Sequence, residues 1–321
     1  MTVSFAAPIE KDIHRVESLI RSQAAGYHPD LGHALDLILN SGGKRIRPSL
    51  TLLVGRMLGI SGRHLLSLAA AIELLHTATL VHDDLIDHSL LRRGMPTINS
   101  QWSTGATVLS GDFLFACAAK LASETDSIPV MKLFAKTLIV IVNGEITQLF
   151  STHCQINREE YFQRIYAKTA SLFETAAWSA ALLKPLDDQQ AESIRRFGYE
   201  IGMAFQIMDD ILDFTGDQSS MGKPVGSDLR QGLVTLPCLC YIETNPQDPD
   251  VQYLLAGNCP GADIHVERLI DSIRFSDAVK IAHQEAQHYI KRGIDHLHKQ
   301  PYSSERQSLE DLANYIVQRQ V

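Results

Sequence analysis

Apolar residues recur along this chain at the three- and four-residue spacing of helices, and the alternating pattern of strands is almost absent. The clearest run covers residues 65–81, where leucine, alanine and isoleucine recur at that spacing. Glycine and proline collect between such runs, as at 42–43 and 94–96, and predict turns there. No Gly/Ser-rich linker and no repeat of solenoid period interrupts the pattern. It therefore predicts one large all-α domain over residues 1–321.

The apolar run at 65–81 is close to the length that spans a membrane. It contains Ser67, Glu73, His76 and two threonines, and these polar side chains favour a buried helix. The N-terminal segment includes Glu10 and Asp12 before any apolar run of the length that a signal peptide needs. We therefore expect a cytoplasmic protein without a membrane anchor.

The composition narrows the class of protein. With 321 residues, 45% of them hydrophobic, the chain can bury a large core, which excludes a disordered polymer. Acidic side chains outnumber basic ones by 37 to 29, and the net charge of −8 argues against a nucleic-acid partner, which requires a basic face. The five cysteines never form a CxxC pair, so they are typical of thiols in a reducing compartment.

Two segments, residues 83–87 and 209–213, share the pattern DDxxD, and each lies at the end of an apolar helical run. Carboxylates four residues apart lie on one helix face and repel each other. Near the C-terminal end of a helix, the helix dipole destabilises them as well. Stability alone therefore does not explain why the pattern occurs twice.

A bound divalent cation offsets the repulsion between these carboxylates. Mg²⁺ prefers carboxylate oxygens and keeps coordination positions for water and substrate phosphates. Two such faces on different helices can hold several ions around one diphosphate and stabilise it as a leaving group. The metal candidates share those faces: Asp83, Asp87, Asp209 and Asp213. Asp84 and Asp210 lie about a quarter-turn away. The alternative interpretation is that each motif is a solvated helix end.

Cationic side chains occur close to the first motif. Lys44 and Arg47, three residues apart, can bind one anion together. Arg92 and Arg93 follow the motif, and His76 precedes it by two helical turns. These positions favour a shared polyanion, although each cation alone also suits a surface salt bridge, and His76 a core position. Further candidates for lining the site are Lys168, Thr169 and Gln206.

Together, these motifs make the chain similar to the trans-type polyprenyl diphosphate synthases of the isoprenoid synthase class. The resemblance extends over nearly the whole chain, through GGKRIRP at 42–48, IELLHTATLVHDDLIDHSLLRRGMPTIN at 72–99, LSGDFLFA at 109–116, NGEITQL at 143–149, YAKTASLFETA at 166–176, GMAFQIMDDILDFTGD at 202–217 and GKPVGSDLRQGLVTLP at 222–237. It implies the all-α isoprenoid synthase fold, a single large helical bundle around a deep central cavity. It also implies a homodimer that uses roughly three Mg²⁺ ions per site.

The resemblance assigns a role to each candidate. The principal metal ligands are Asp83, Asp87 and Asp209, supported directly or through water by Asp84, Asp210 and Asp213. The diphosphate of isopentenyl diphosphate is bound by Lys44, Arg47, His76 and Arg93. The allylic diphosphate primer is bound by Arg92, Lys168, Thr169, Gln206 and Lys223. The chemistry is expected to depend on Asp83, Asp84, Asp87, Lys168, Asp209 and Asp210.

The implied reaction begins when the allylic diphosphate ionises with the help of the metal ions. The double bond of isopentenyl diphosphate then attacks the carbocation in a 1′–4 head-to-tail condensation, and a proton is lost to the departing diphosphate. Electrostatic stabilisation of the leaving group and exclusion of water are the protein's tasks. One position departs from the family pattern, because Leu233 stands where a lysine is usual, which leaves the primer preference open.

Product length in this family depends on side chains beneath the first motif. Leu75 and Ala78 lie eight and five residues before Asp83 and can line that pocket. The chain has neither a bulky aromatic residue there nor an insertion in the motif, which are features of short-chain enzymes. We therefore expect a medium or long all-trans polyprenyl diphosphate, with a short-chain farnesyl or geranylgeranyl diphosphate synthase as the alternative.

Three other functions are compatible with part of the sequence. The dipeptide His82-Asp83 occurs in HD-type phosphohydrolases, but this assignment leaves the second DDxxD motif unexplained. A terpene cyclase would ionise the allylic substrate without isopentenyl diphosphate, whereas the intact GGKRIRP segment indicates that the second substrate is bound. A regulatory subunit of a heteromeric prenyl synthase would be expected to have degraded aspartate motifs, and both are intact here.

Overall fold

The computed structural model describes residues 4–40, 42–150, 154, 156–216, 224–258 and 264–319. Within these ranges the chain is almost entirely helical, as the sequence pattern predicts. The α-helices are α1 (Glu10–Ser22), α2 (Pro29–Asn40), α3 (Ile46–Met57), α4 (Arg63–Ile86), α5 (Ile98–Gln101), α6 (Thr104–Ser123), α7 (Ile128–Phe150), α8 (Arg158–Ile165), α9 (Ser171–Ala181), α10 (Asp188–Thr215), α11 (Ser227–Arg230), α12 (Leu236–Thr244), α13 (Pro249–Leu255), α14 (Ile264–Phe275), α15 (Ala278–Leu297) and α16 (Ser304–Gln318). A 3₁₀ turn at Ser4–Ile9 precedes α1, and a π-helical turn at Tyr166–Ala170 joins α8 to α9.

The chain divides into two compact units. Unit 1 comprises Met1–Leu138, Leu172–Gly198 and His296–Leu312. Unit 2 comprises Ile139–Ser171, Tyr199–Asp295 and Ala313–Val321. The first aspartate motif belongs to unit 1 and the second to unit 2. The single domain expected from the sequence stays a prediction.

The core of unit 1 is built around α4, which packs against α1, α3 and α6. Its residues from Leu65 to Leu75 are buried on every side, so α4 is a central helix rather than a surface one. The contact with α3 is close because Gly55 has no side chain, and a Cβ atom there would lie 2.4 Å from Leu65 Cδ1. Dense packing of small and aliphatic residues therefore fixes the helix that carries the first motif.

By length and composition, three described helices could cross a membrane, namely α4, α6 and α7. In α4, 78% of the apolar window is buried inside the protein, which agrees with the buried helix predicted for residues 65–81. In α7 the buried share is only 22%, and Ile139, Val142, Ile146 and Leu149 are exposed. The second half of α7 therefore presents an apolar surface.

α4 ends within the first aspartate motif. His88 adopts a left-handed conformation with φ of 52°, and the amide of Ser89 donates to the carbonyl oxygen of Asp84 over 2.9 Å. The amide of His88 donates to the carbonyl oxygen of Leu85, which completes the usual hydrogen-bond pattern of a helix C-terminus. Asp83 consequently lies in the last turn and Asp87 caps it, which confirms the predicted position of the motif.

A short hairpin follows α4 and is the only sheet in the described residues. Its strands, β1 (Leu91–Arg92) and β2 (Met95–Pro96), pair antiparallel. The two residues between them, Arg93 and Gly94, have φ angles of 53° and 75°. Two positive φ angles match a type I′ turn, in which glycine is favoured and arginine is not. The turn therefore holds Arg93 in a conformation that its contacts must stabilise.

The described cysteines agree only partly with the sequence analysis. Cys117, Cys238 and Cys240 are free and buried, as expected of thiols, and burial raises the pKa of Cys238 to about 12. Cys154 is disulfide-bonded, which the scattered spacing of the cysteines did not predict. Cys259 lies outside the described residues.

Candidate functional site

In unit 1 the three aspartates of the first motif differ in exposure. Asp83 is half-buried, Asp84 is buried with 7% of its surface exposed, and Asp87 is exposed. Arg92 donates from Nε to both carboxylate oxygens of Asp84 over 2.9 Å, and its Nη2 lies 2.7 Å from Oδ1. Asp84 thus has a forked cationic partner within the protein, an arrangement that the eight-residue separation along the chain permits.

The charges of this motif act on Arg92 together. Burial alone would lower the pKa of the Arg92 guanidinium, but its hydrogen bonds to Asp84 and the charges of Asp83, Asp84 and Asp87 raise it overall. Arg92 is therefore held as a cation at the end of α4, next to all three carboxylates. The sequence analysis assigned it to the allylic diphosphate, and in this structure it faces Asp84.

Two of the predicted phosphate-binding side chains contact each other. Arg47 Nη1 lies 3.1 Å from His76 Nε2, and the Arg47 guanidinium lies 4.6 Å from the centre of the Phe173 ring. Burial and the positive charges of Arg47, Arg93, Arg92 and Arg45 hold the pKa of His76 well below its ordinary value. Because arginine can only donate, a neutral His76 accepts at Nε2 and carries its proton on Nδ1.

The segment that precedes α3 lies against the same cluster. Arg93 Nη1 donates to the carbonyl oxygen of Gly42, and a Cβ atom on Gly43 would lie 2.8 Å from that nitrogen. Gly43 therefore leaves the space that Arg93 occupies, and its φ of 151° suits glycine. Lys44 is exposed next to it. Arg47, His76 and Arg93 thus lie in one polar region, and their joint binding of a diphosphate with Lys44 stays a prediction.

In unit 2, Lys168 and Thr169 lie in the π-helical turn. Lys168 Nζ forms an ion pair of 3.0 Å with Glu145 Oε1, and Thr169 donates to Gln206 Oε1 over 2.6 Å. The turn approaches α7 closely, because a Cβ atom on Gly144 would lie 2.6 Å from that of Ala167. π-Helical turns within helices occur frequently at functional sites. In this π-helical turn, the side chains of the consecutive residues Lys168 and Thr169 contact different partners, Glu145 and Gln206.

Asp210 is the buried member of the second motif. Its carboxylate accepts from Gln206 Nε2 over 2.8 Å and from the Tyr161 hydroxyl over 2.7 Å. Burial, together with the negative charge of Asp228, raises the pKa of Asp210 to about 8, against the lowering effect of these hydrogen bonds. Thr169, Gln206 and Asp210 thus form a hydrogen-bonded chain that ends on a carboxyl group deep in unit 2.

The other two aspartates of the second motif also have protein partners. Asp209 Oδ1 lies 2.7 Å from Nη2 of Arg319, a largely buried arginine whose guanidinium stacks over Phe205 at 4.1 Å. Asp213 accepts from the Ser227 hydroxyl over 2.8 Å and from the backbone amide of Asp228. Asp209 and Asp213 are half-buried, so both keep some access to solvent.

Within the described residues, no three His, Cys, Asp or Glu side chains form a group that could hold a metal ion by themselves. The donor chemistry nevertheless suits Mg²⁺, which is usually bound by one or two carboxylates together with water and substrate phosphates. Asp83 and Asp87, at the end of α4, supply oxygen ligands of that kind. The residues present therefore fit a cation that shares its coordination with a substrate.

The roles expected for three further residues stay predictions. Leu75 and Ala78 are both fully buried in α4, and the pocket they were expected to line stays a prediction. Leu233 is half-buried. Lys223 lies outside the described residues.

Five residues that long-range contacts bring to the site were not predicted from the sequence. They are Arg45, Glu145, Tyr161, Asp228 and Arg319. Glu145 lies in the NGEITQL segment and Asp228 in the GSDLRQG segment, so their sequence context was a usable signal.

Comparison with known proteins agrees with this arrangement. The sequence profile of the polyprenyl synthetase family matches residues 28–273. An all-trans-nonaprenyl-diphosphate synthase (geranyl-diphosphate specific) of Rhodobacter capsulatus is 36% identical over 98% of this chain and 96% of its own. Heptaprenyl diphosphate synthase component 2 of Geobacillus stearothermophilus is 37% identical over 94% of each chain. A polyprenyl synthase from Caulobacter crescentus CB15, solved with calcium and isoprenyl diphosphate, has a TM-score of 0.92 and 33% identity over 100% of this chain and 98% of that one.

Proposed function

This chain belongs to the polyprenyl synthetase family, and we propose that it is a prenyltransferase that condenses isopentenyl diphosphate with an allylic diphosphate primer. The condensation forms a 1′–4 head-to-tail bond and releases diphosphate. Relatives named as nonaprenyl and heptaprenyl diphosphate synthases support a medium or long all-trans product.

The observation that carries this proposal is that α4 presents two kinds of phosphate chemistry. His76 lies seven residues before Asp83, which is about 10 Å along a helix. Burial and the surrounding arginines hold the pKa of His76 well below its ordinary value, which keeps its imidazole neutral. At Asp83 and Asp87 the same helix presents carboxylates that suit a divalent cation. α4 thus carries groups for a diphosphate that cationic side chains bind directly and for a diphosphate that binds through metal ions.

The cationic cluster suits the diphosphate of isopentenyl diphosphate. Lys44 and Arg47 provide positive charge, and Arg47 offers forked donors that match phosphate oxygens. His76 accepts from Arg47 at Nε2, so its Nδ1 proton is the donor that remains for a ligand. A neutral imidazole adds a hydrogen bond without adding a charge that the arginines would repel.

The carboxylates would hold the metal ions for the allylic diphosphate. Asp83, Asp87 and Asp209 are the proposed ligands, supported by Asp84, Asp210 and Asp213. When bound, Mg²⁺ stabilises the negative charge of the departing diphosphate. The relative solved with calcium and isoprenyl diphosphate supports a divalent metal in this family. Lys168 and Thr169 are proposed to orient the allylic diphosphate, and Gln206 and Asp210 to hold Thr169.

The phosphohydrolase alternative is disfavoured by the surroundings of His82. Its Nε2 lies 3.2 Å from the carbonyl oxygen of Val108 on α6. A Cβ atom on Gly111 would lie 2.1 Å from the same nitrogen, so the absence of a side chain at Gly111 makes room for the ring. His82 is thus packed between α4 and α6, and its Nε2, which also lies 3.7 Å from Asp112 Oδ1, already faces two oxygen atoms of the protein.

Diphosphate release separates the candidate activities. The purified protein is incubated with Mg²⁺ and farnesyl diphosphate, with and without isopentenyl diphosphate, and released diphosphate is measured. We expect release that depends on isopentenyl diphosphate. Release without it would indicate a cyclase, and release of inorganic phosphate from simple phosphate esters would indicate a phosphohydrolase.

We further propose that the apolar stripe of α7 is a homodimer interface. Ile139, Val142, Ile146 and Leu149 are exposed at the three- and four-residue spacing of one helix face. Contiguous apolar surface of this kind usually marks an interaction site. The resemblance to homodimeric prenyl synthases favours a second copy as the partner, although one relative is named as a component of a heptaprenyl synthase.

Light scattering tests the interface. We expect the protein to elute as a dimer, and Leu149→Glu to shift it toward monomer because a charge then enters the apolar stripe. Leu255→Glu is the matched control, since Leu255 is an exposed leucine of α13 in the same unit. A monomeric wild-type chain that requires a different subunit for activity would contradict the homodimer.

A further inference from the structure

Arg45 lies between two proposed phosphate-binding residues, Lys44 and Arg47, and its side chain bonds to neighbouring parts of unit 1. Its Nε donates to Glu17 of α1 over 2.9 Å, and its Nη1 donates to Glu73 of α4 over 3.0 Å. Its Nη2 donates to the carbonyl oxygen of Leu39 over 2.9 Å. The guanidinium therefore bonds to three separate parts of unit 1. Only 13% of the side chain is exposed, so this contact is internal.

The backbone of Arg45 is also unusual. Its φ of 48° and ψ of 37° lie in the left-handed region, which costs a residue with a Cβ atom about 1 kcal/mol or more. The three contacts of its side chain offset that cost. This left-handed residue directly precedes α3, which begins at Ile46. The Arg45 side chain is largely buried there, whereas Lys44 is exposed.

Two contacts attach the GGKRIRP segment to the same face of α4. Arg45 bonds to Glu73, and Arg47 bonds to His76, which lies three residues later and so nearly one turn further along α4. The Arg45 contact is an ion pair, in which Glu73 is 5% exposed. Burial lowers the pKa of Arg45, but the charges of Glu73 and Glu17 raise it overall, so Arg45 remains a cation.

We propose that Arg45 is a positioning residue for isopentenyl diphosphate: its bonds to Glu17 and Glu73 hold the GGKRIRP segment on α4, so that Lys44 and Arg47 bind the diphosphate together. Arg45 does not touch the substrate in this account. The inference rests on the function proposed above. Loss of the Arg45 contacts should therefore weaken binding of isopentenyl diphosphate but not of the allylic diphosphate, because the allylic diphosphate is assigned to other residues.

Steady-state kinetics of Arg45→Gln tests the proposal. We expect KM for isopentenyl diphosphate to rise by about tenfold or more, because displaced phosphate ligands bind less well. KM for farnesyl diphosphate and kcat stay within about twofold. Arg45→Lys, which keeps one ion pair, is expected to give an intermediate KM. Because Arg45→Gln leaves Glu73 buried without its cation, the double variant Arg45→Gln/Glu73→Gln is measured as well and is expected to retain the raised KM.

Arg56→Gln is the matched control, since Arg56 pairs with Asp12 of α1 at the far end of α3. It is expected to lower stability without changing either KM. An unchanged KM for isopentenyl diphosphate in both Arg45→Gln and the double variant would overturn the proposal, as would an equal rise in Arg56→Gln. Lys44→Ala distinguishes failure of the positioning role from failure of the proposed function. If it raises that KM and Arg45→Gln does not, only the positioning role fails; if Lys44→Ala has no effect either, the proposed function of the segment fails too.

Discussion

Asp83→Ala and Asp209→Ala are each expected to lower kcat by at least about a thousandfold, because each removes a proposed ligand of the metal ions that stabilise the departing diphosphate. Helical circular dichroism should stay nearly unchanged, since both side chains are half-buried at helix ends rather than part of the core. Kinetics at saturating Mg²⁺, with circular dichroism of the same samples, is the measurement.

Asp271→Ala provides the control for these variants. Asp271 is an exposed aspartate of α14, and its removal should leave turnover within about twofold. Asp209 also neutralises Arg319, so Asp209→Asn is a useful companion that keeps a polar partner at 2.7 Å. If Asp83→Ala or Asp209→Ala unfolds the protein, the motif has a structural role, and if turnover survives, these carboxylates are not metal ligands.

Ala78→Phe is expected to shorten the product by several isoprene units. Ala78 lies five residues before Asp83, about 7.5 Å along α4, where an aromatic ring would block the growing chain. Mass spectrometry of the extracted products measures the shift. The side chain is fully buried, so the larger residue is also expected to cost about 1–3 kcal/mol of stability through overpacking.

A graded series separates these two effects. Ala78→Val, Ala78→Leu and Ala78→Phe should give progressively shorter products if side-chain volume sets the limit. Thermal unfolding of each variant records the packing cost independently. A series in which stability falls but the product distribution stays that of the wild type would mean that Ala78 does not limit the chain.

The sequence predicted the helical fold and the helix-end position of both motifs because these depend on local signals. The polar sequence after Ile86 and the Thr215-Gly216 pair mark where the helices stop. Helical spacing also placed His76 and Asp83 two turns apart, and α4 has them on one continuous helix. The fork of Arg92 on Asp84 joins residues only eight positions apart, so it lies within the range of local sequence patterns.

Partners from distant parts of the chain could not be predicted in this way. Arg319 and Asp209 are 110 residues apart, and Tyr161 and Asp210 are 49 apart, with no periodic signal that links them. The left-handed conformation of Arg45 likewise depends on Glu17 and Glu73, which only the folded unit brings to it. Local sequence patterns therefore identify the candidate reacting groups, whereas tertiary packing determines which protein side chains pair with them.

The net charge of −8 does not exclude a polyanionic substrate. The cations that would meet a polyanion are concentrated around His76, where burial and then the charges of Arg47, Arg93 and Arg92 lower the pKa of the imidazole. A local cationic cluster in an acidic protein is enough for a diphosphate, because electrostatic interactions fall off over about 10 Å at moderate salt. Overall charge and substrate charge are thus independent here.

We propose above that this chain elongates an allylic diphosphate with isopentenyl diphosphate. The most direct test incubates the purified chain alone with Mg²⁺, farnesyl diphosphate and radiolabelled isopentenyl diphosphate, then extracts, dephosphorylates and sizes the labelled products. We expect label in all-trans alcohols of geranylgeranyl length or longer, and none when Mg²⁺ is chelated. Failure to incorporate isopentenyl diphosphate with any allylic primer would contradict it.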